Sequence, residues 1–451
     1  VQYQITNEFL EQLRYGIENR NEQLILELIG DLHSTDLAEI FHDLHLPQAK
    51  YLYTLIDEEK AAEVITWLDE DYREKFLAQL SSREIAEQFV ENLDSDDAAD
   101  IIGELPEERQ REVLSEIQDM EMASDIVDLL KYDEDTAGGL MAKELVSVNV
   151  NWDRDKVIDE IRHQSNDIDN VYTVYVTDDN EKLLGILPIK KLLIEPESVK
   201  IEDMYLDKIQ YVEAHQSKEE VASMMKKYDL VVLPVVDGIG RLAGRITIDD
   251  VVDVIQEEAE KDYQLMSGLT ENVESDDKVW ILTRARMPWL LVGLMGGIVG
   301  SMVISSYEDQ IQIHPEMAFF TTLIAAMGGN AGVQSSAIIV QGLANNSLRT
   351  GDTLAKFFKE LSVALLNGIV CAIFIFLYGY FSEGLPLAFT ISTAMLTVII
   401  VASILGTFIP LTLNRFKIDP ALATGPFITT MNDITGIFIY FLIGRLMYSL
   451  V

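Results

Sequence analysis

The chain has one cysteine, Cys371, among 451 residues, so no intrachain disulfide holds it together. The apolar run around that thiol speaks against a reactive role. Positive charge is scarce: 34 Lys and Arg stand against 75 Asp and Glu, a formal charge of −41. A surface so acidic repels nucleic acid and anionic lipid, which excludes functions built on a basic footprint, and it attracts cations as ligands or screening ions. There is no Walker A loop, no kinase or aspartyl-phosphate signature, and no Cys, Met or His cluster in the apolar segments. These absences argue against an enzyme, an ATP-driven pump and a dedicated soft-metal site. The first 30 residues lack a continuous apolar core of signal-peptide type, so the N-terminal part is expected to stay in the cytosol. At this length several domains are expected.

What is present is unevenly shared. From Ile281 onward eight basic residues (Arg284, Arg286, Arg349, Lys356, Lys359, Arg415, Lys417, Arg445) balance eight acidic ones (Glu308, Asp309, Glu316, Asp352, Glu360, Glu383, Asp419, Asp433), so the whole charge of −41 lies in residues 1–280. Five apolar stretches occupy the neutral part: Pro288 to Ser305, Met317 to Leu343, Leu361 to Phe381, Leu387 to Leu413 and Ala421 to Met447. Each is long enough to cross about 30 Å of hydrocarbon as a helix. Lys and Arg precede the first span and lie between the second and third and between the fourth and fifth. The other two loops carry none. This alternation places the N-terminal domain in the cytosol and the C-terminus outside a multi-pass cell membrane protein.

Asp433 is the one ionisable residue near the middle of a span. A carboxylate at that depth costs about 2.5–3.5 kcal/mol, so it needs a cation, a donor or water. Two readings follow: a protonated acid bonded to a neighbouring helix, or a residue of a cation pathway. Thr429, Asp433 and Gly436 recur at i, i+4 and i+7, which puts a hydroxyl, a carboxylate and an accessible carbonyl on one helix face. In the second span, Asn330 and Gln334 present amides to one side beside Gly328, Gly329 and Gly332. Gly293, Gly296, Gly297 and Gly300 in the first span suit close helix packing.

In the cytosolic part, the apolar ends of short segments recur at Leu44, Leu55, Leu68, Leu80, Leu93, Leu105, Ile117 and Leu130. Cap-like clusters open the segments at Asp57, Ser81, Asp94 and Pro106, which predicts a stack of short helices. Asp96 and Asp100 share a face with Asp97 beside them and no basic residue between, an arrangement that favours a bound cation or an opposing basic surface. A second repeat follows with a period of about 60 residues: Tyr175-Val-Thr-Asp-Asp-Asn aligns with Pro234-Val-Val-Asp-Gly-Ile, and the helix at Val157 with that at Val221. Hairpins are expected at Asp178-Asp179-Asn180 and Asp237-Gly238. Beyond the second repeat, Asp250, Asp253 and Glu257 share a face of an acid-rich helix.

The repeated pair resembles tandem cystathionine-β-synthase (CBS) motifs, the second closing with Gly244-Arg-Ile-Thr247-Ile-Asp-Asp250. Together with the Tyr132-Asp-Glu-Asp-Thr-Ala-Gly-Gly-Leu-Met141 junction, Gly328-Gly-Asn330-Ala-Gly-Val-Gln334 and Asn432-Asp433, the chain resembles the MgtE family of magnesium channels over nearly its full length. That resemblance implies a multidomain membrane protein: a superhelical all-α N-domain (1–130), an α+β tandem CBS domain (131–262), a connecting helix (263–285) and a five-helix transmembrane domain (286–451). It implies a homodimer that takes up Mg²⁺ and is closed by cytosolic Mg²⁺. The pore residues it implies are Asp433, Thr429 and Gly436, with Asn330 and Gln334 lining the pathway. The regulatory Mg²⁺ positions are Glu63, Asp96, Asp100, Glu219, Asp229, Asp250, Asp253, Glu258, Asp262 and Asp419. The chain departs from the family at Ser217, Lys218 and Lys261, where acids are common, so at least one regulatory site is weakened, absent or replaced by an internal salt bridge. Lys191 stands in the first CBS unit where Asp250 stands in the second, which speaks against nucleotide binding. Rival readings are a carrier of another divalent ion such as Mn²⁺ or Co²⁺, and a membrane-anchored cation sensor that transports nothing.

Overall fold

The computed structural model describes residues 5–165, 168, 170–196, 198–270, 273, 277–344, 353–382 and 384–449. Arg349, used in the orientation argument, lies outside them. The chain divides into two compact units, Val1–Ile255 and Gln256–Val451.

The first unit opens with ten short α-helices between Asn7 and Leu129. Their starts follow the polar clusters. Asp57 accepts the backbone N–H of Lys60 at 3.0 Å, and Ser81 with Glu84 forms a reciprocal capping box. The periodic apolar ends turn inward: Leu44, Leu68, Leu80, Leu105 and Ile117 are buried, whereas Leu55, Leu93 and Leu130 pack against that core. No helix here has more than twelve residues, so each depends on its neighbours for stability.

Two three-stranded sheets follow, β1 (Val146–Asn149), β2 (Val174–Thr177) and β3 (Leu183–Leu187), then β4 (Val212–Glu213), β5 (Val232–Val236) and β6 (Leu242–Thr247). The expected hairpins are β2–β3 and β5–β6, both antiparallel. Each repeat also carries a parallel strand ahead of its helix, β1 and β4, that the sequence pattern missed. At four and two residues these strands are too short for alternation to register. The two repeats join through their hairpin ends, where the Leu183 N–H donates to the carbonyl of Gly240 and that of Leu242 to the carbonyl of Glu181.

A 20-residue helix, Ile248–Ser267, leaves β6. Residues 263–285 are therefore not one connecting helix. The helix stops at Gly268, whose φ of +84° is one that residues with a Cβ avoid, and the next begins at Val279. Among the described residues of the second unit five helices are long and apolar enough to span a membrane: Val279–Ser305, Pro315–Ala344, Lys356–Ser382, Leu385–Arg415 and Pro426–Ser449. The fourth span packs against the second, third and fifth, and the first packs on the fifth. Large apolar side chains such as Leu366, Phe374 and Met302 face outward, as lipid-facing residues do. Of the four glycines in the first span, Gly296 abuts Thr430 and Gly300 faces Ile437, while Gly293 and Gly297 meet nothing, so close packing accounts for half of them.

The second and fourth spans come close at Gly406, where an added Cβ would lie 2.3 Å from the carbonyl oxygen of Gly332. Backbone cannot yield as a side chain end can. Gly406→Ala is expected to destabilise the membrane unit by about 1–3 kcal/mol, read as a lower melting temperature of the purified protein in detergent. An unchanged melt would show that the spans can separate at that point.

Candidate functional site

Two groups of residues are placed for ion chemistry, one in each unit. In the membrane unit, Asp433 lies on the fifth span beside Thr429, and both face Gly329 of the second span. A Cβ on Gly329 would sit 3.2 Å from Asp433 Oδ1 and 3.2 Å from Thr429 Cγ2. Asp433 Oδ1 is buried and has no hydrogen-bond partner among the described residues. This counts against a protonated acid bonded to a neighbouring helix, because an oxygen without a donor in a low-dielectric interior is costly unless water or an ion serves it. The Thr429 hydroxyl donates to the Gly425 carbonyl at 2.9 Å, leaving its lone pairs as acceptors. Gly436, expected on the same face, is buried against Val398 and the backbone around Ile324.

Asn330 and Gln334 are placed elsewhere. Successive helix residues turn by about 100°, and these two project with Met327 and Ile338 into a cavity beside the third span, away from the side on which Gly329 meets Asp433. In the sequence Asn432 stands only as part of the Asn432-Asp433 motif, with no role of its own. Its side chain is 1% exposed, wedged against Gly332, and both its amide atoms lack a partner among the described residues.

The start of the fifth span is tied to the helix that leaves the CBS pair. A Cβ on Gly425, at φ +57°, would meet the carbonyl oxygen of Met266 at 2.2 Å, and Gly268 touches the Pro426 ring. In the same region Asp262 is held above the usual carboxylate range by burial first and then by the charges of Asp419 and Glu258, with Lys261 acting in the opposite direction. Asp419 also caps the short turn at Pro420–Ala423, accepting the Ala421 N–H at 2.8 Å.

In the first unit, the acidic face expected at Asp96 and Asp100 meets the tandem repeat. One carboxylate oxygen each from Asp94, Asp96 and Glu144 lies within 4.8 Å of the others. Asp94 occupies the cap position of helix Ser95–Gly103 but makes no cap bond to it, and it lies 3.7 Å from Arg245. Glu144 accepts both the backbone N–H and the hydroxyl of Ser95, at 3.1 and 2.9 Å. Asp94 was legible only as a cap and Glu144 not at all, because a residue 49 positions away in the chain leaves no periodic trace.

These acids titrate as a crowded group. Asp96 is pushed well above its ordinary value by burial, then by the charges of Asp97, Asp250 and Asp94. Asp97 is pushed up to about 6 and Asp100 to about 7, again by burial first and neighbouring negative charge second. Both are nevertheless exposed, so the burial behind these shifts is that of a crowded acidic concavity and not full removal from water. Asp250 is raised by burial, although the Thr247 hydroxyl donates to it at 2.6 Å. An all-oxygen, acid-rich donor set of this kind fits a small hard cation such as Mg²⁺.

The remaining expected positions are more dispersed. Glu63 accepts the Ser34 hydroxyl within the helical stack. Glu219, Asp229 and Asp253 are exposed, Asp229 in the left-handed region at the end of its helix. At the departures from the family pattern, Lys218 pairs with Asp135 at 2.9 Å and Lys261 with Glu258 at 3.0 Å, and Ser217 caps a helix. Lys191 donates to the carbonyl of Met204.

Comparison with known proteins covers both units. The family described as divalent cation transporter, MgtE, matches residues 321–443; the MgtE intracellular N domain matches 32–135; and CBS domains match 137–197 and 201–257. The magnesium transporter MgtE of Thermus thermophilus is 30% identical over 443 residues, 97% of this chain and 98% of its own length. That of Enterococcus faecalis is 33% identical over 70% of each chain. Among solved structures, the cytosolic domain of the Mg²⁺ channel MgtE in complex with ATP is 31% identical with a TM-score of 0.50, covering 54% of this chain and 99% of that one.

Proposed function

The chain belongs to the MgtE family of magnesium transporters, and from that premise we propose how its residues conduct and gate the ion. Asp433 is the pore ligand, with Thr429 beside it and Gly436 one turn further along the fifth span. Mg²⁺ dehydrates reluctantly, so the carboxylate acts on the hydrated ion, accepting hydrogen bonds from its water shell and supplying charge where the bilayer supplies none. Two copies of the chain bring two such carboxylates to one pathway, which calls for a homodimer. The observation that carries this reading is Asp433 Oδ1, buried and without a partner among the described residues where it packs with Thr429 against Gly329.

Cytosolic Mg²⁺ is also the regulator. Asp94, Asp96, Asp97, Asp100, Glu144 and Asp250 repel one another across the junction of the helical stack and the CBS pair, and a bound cation turns that repulsion into attraction. Abundant internal Mg²⁺ holds the junction shut. Scarcity releases it, and the Ile248–Ser267 helix passes the change to the fifth span through the packing of Met266 on Gly425 and Gly268 on Pro426. The ion pairs of Lys218 and Lys261 supply fixed cations where family members carry acids, so this chain needs fewer regulatory ions. The ATP complex of the relative narrows the objection to nucleotide binding. Lys191 closes the first CBS unit to a ribose, whereas Thr247 and Asp250 keep the polar pair of the second, and that is where we place a nucleotide.

The test is Mg²⁺ flux into proteoliposomes carrying the full chain, with Mg²⁺ titrated on the face that bears the CBS pair. Flux that exceeds protein-free vesicles and declines as that Mg²⁺ rises is expected. Absence of flux with the protein folded would favour the sensor reading, and equal flux of Mn²⁺ or Co²⁺ the broader carrier.

A further inference from the structure

The cavity lined by Asn330 and Gln334 lies on a different side of the second span from the one on which Gly329 meets Asp433. The second and third spans both lie against the fourth and pack less closely on each other, and the half-open cleft between them has a volume of about 470 Å³. Asn330 and Gln334 line it from the second span, Glu360 and Asn367 from the third, and Ser403 from the fourth. Among the described residues none of these five side chains has a hydrogen-bond partner; Ser403 is buried, Glu360 half-buried, and Asn330, Gln334 and Asn367 are exposed. Amides and a carboxylate turned toward lipid would be expensive. Their convergence on one cleft therefore calls for a polar occupant. Within an otherwise largely apolar wall these polar groups are neutral at four positions and anionic at one, which suits contact through water better than direct coordination. Six waters at about 30 Å³ each occupy about 180 Å³, so a fully hydrated ion fits with room to spare.

We propose that the cleft between the second, third and fourth spans is a binding site for a hydrated divalent cation, with Glu360 providing the charge and Asn330, Gln334 and Asn367 accepting hydrogen bonds from the ion's water shell. It lies within one protomer and is separate from the Asp433 pathway. The inference rests on the transport reading only for the choice of ion, and its test measures thiol chemistry and not flux.

Cys371, the chain's only cysteine, lines the same cleft and is a built-in reporter. The full chain in lipid nanodiscs is treated with a cationic and with an anionic membrane-impermeant methanethiosulfonate, and modification is followed by intact mass, with Cys371→Ala as the blank. The cationic reagent is expected to react faster, and Mg²⁺ to slow it. Glu360→Gln should lower the cationic rate about tenfold, the scale on which a charged cleft concentrates counter-ions, and should abolish Mg²⁺ protection while leaving the anionic rate unchanged or higher. Asn367→Leu, which keeps the charge, should weaken protection only. Three results would overturn the proposal: a thiol that only membrane-permeant maleimides reach, which means lipid or a second copy fills the cleft; equal rates for both reagents; or Mg²⁺ protection that survives Glu360→Gln. Asp433→Asn should leave protection intact, so a failure of the pore assignment is distinguishable from a failure here.

Discussion

Replacing Asp433 with asparagine is expected to reduce Mg²⁺ flux in proteoliposomes to that of protein-free vesicles. The substitution keeps the shape of the side chain beside Gly329 and removes only its charge, so a folding defect is not the anticipated cause; an unchanged elution volume and melting temperature in detergent would establish that. The physical argument is one of alternatives. An ion crossing about 30 Å of hydrocarbon loses the stabilisation of bulk water. Within the described part of the fifth span, Asp433 is the only acidic residue positioned to offset that loss. An amide presents half the acceptor capacity and no net charge, and a divalent ion feels that difference at every protomer. Asp433→Glu retains the charge but displaces it by a methylene, and intermediate flux is expected. Undiminished flux through Asp433→Asn would falsify the pore assignment.

The second large effect belongs to the junction of the helical stack and the CBS pair. In the double variant Asp96→Asn, Asp100→Asn, the channel is expected to stay open at Mg²⁺ concentrations that close the unaltered chain. The half-inhibitory concentration should rise about tenfold, equivalent to about 1.4 kcal/mol of lost binding. Hydrogen exchange gives an independent readout: Mg²⁺ should slow exchange in helix Ser95–Gly103 of the unaltered chain and not of the variant. If closure by Mg²⁺ were unaffected, the acids would be a solvated face and nothing more. The pH dependence has a definite sign. The folded-state values of Asp97 and Asp100, about 6 and about 7, lie above the ordinary carboxylate value. The folded state therefore holds more protons than the unfolded one, and metal-free stability falls as pH rises from about 4 to about 7. The repulsion is fully present above that window, where Mg²⁺ has most to relieve. Stabilisation by Mg²⁺, measured as a shift in melting temperature, should accordingly be larger at pH 8 than at pH 5.5. The neutral variant should lose much of this contrast.

Some of this was legible in the residues and some was not. The division of charge at residue 280, the five apolar stretches, the helical stack and the tandem repeat were all legible, because each is periodic or compositional and acts over many residues at once. Asp433 stood out because a lone carboxylate in an apolar run needs no partner to be noticed. Two expectations required three dimensions. Asn330 and Gln334 belong to the second span's polar break, as does Gly329, yet they project into the cleft beside the third span while Gly329 meets Asp433. Spacing defines faces of a helix but not which neighbour each face receives. Likewise, Asp94 reads as a helix cap, and its proximity to Asp96 and Glu144 came from tertiary packing alone.

The sequence by itself determined that this is an acidic cation-handling domain attached to a neutral membrane domain, because net charge and hydropathy are sums over residues and do not depend on where each one ends up. Tertiary structure decided which acids lie together, which glycine faces Asp433, and where Glu360 and Asn367 converge. Those are matters of a few ångströms between residues far apart in the chain. The repulsion among carboxylates and the cost of unpartnered polar atoms in a low-dielectric interior both change steeply over that distance.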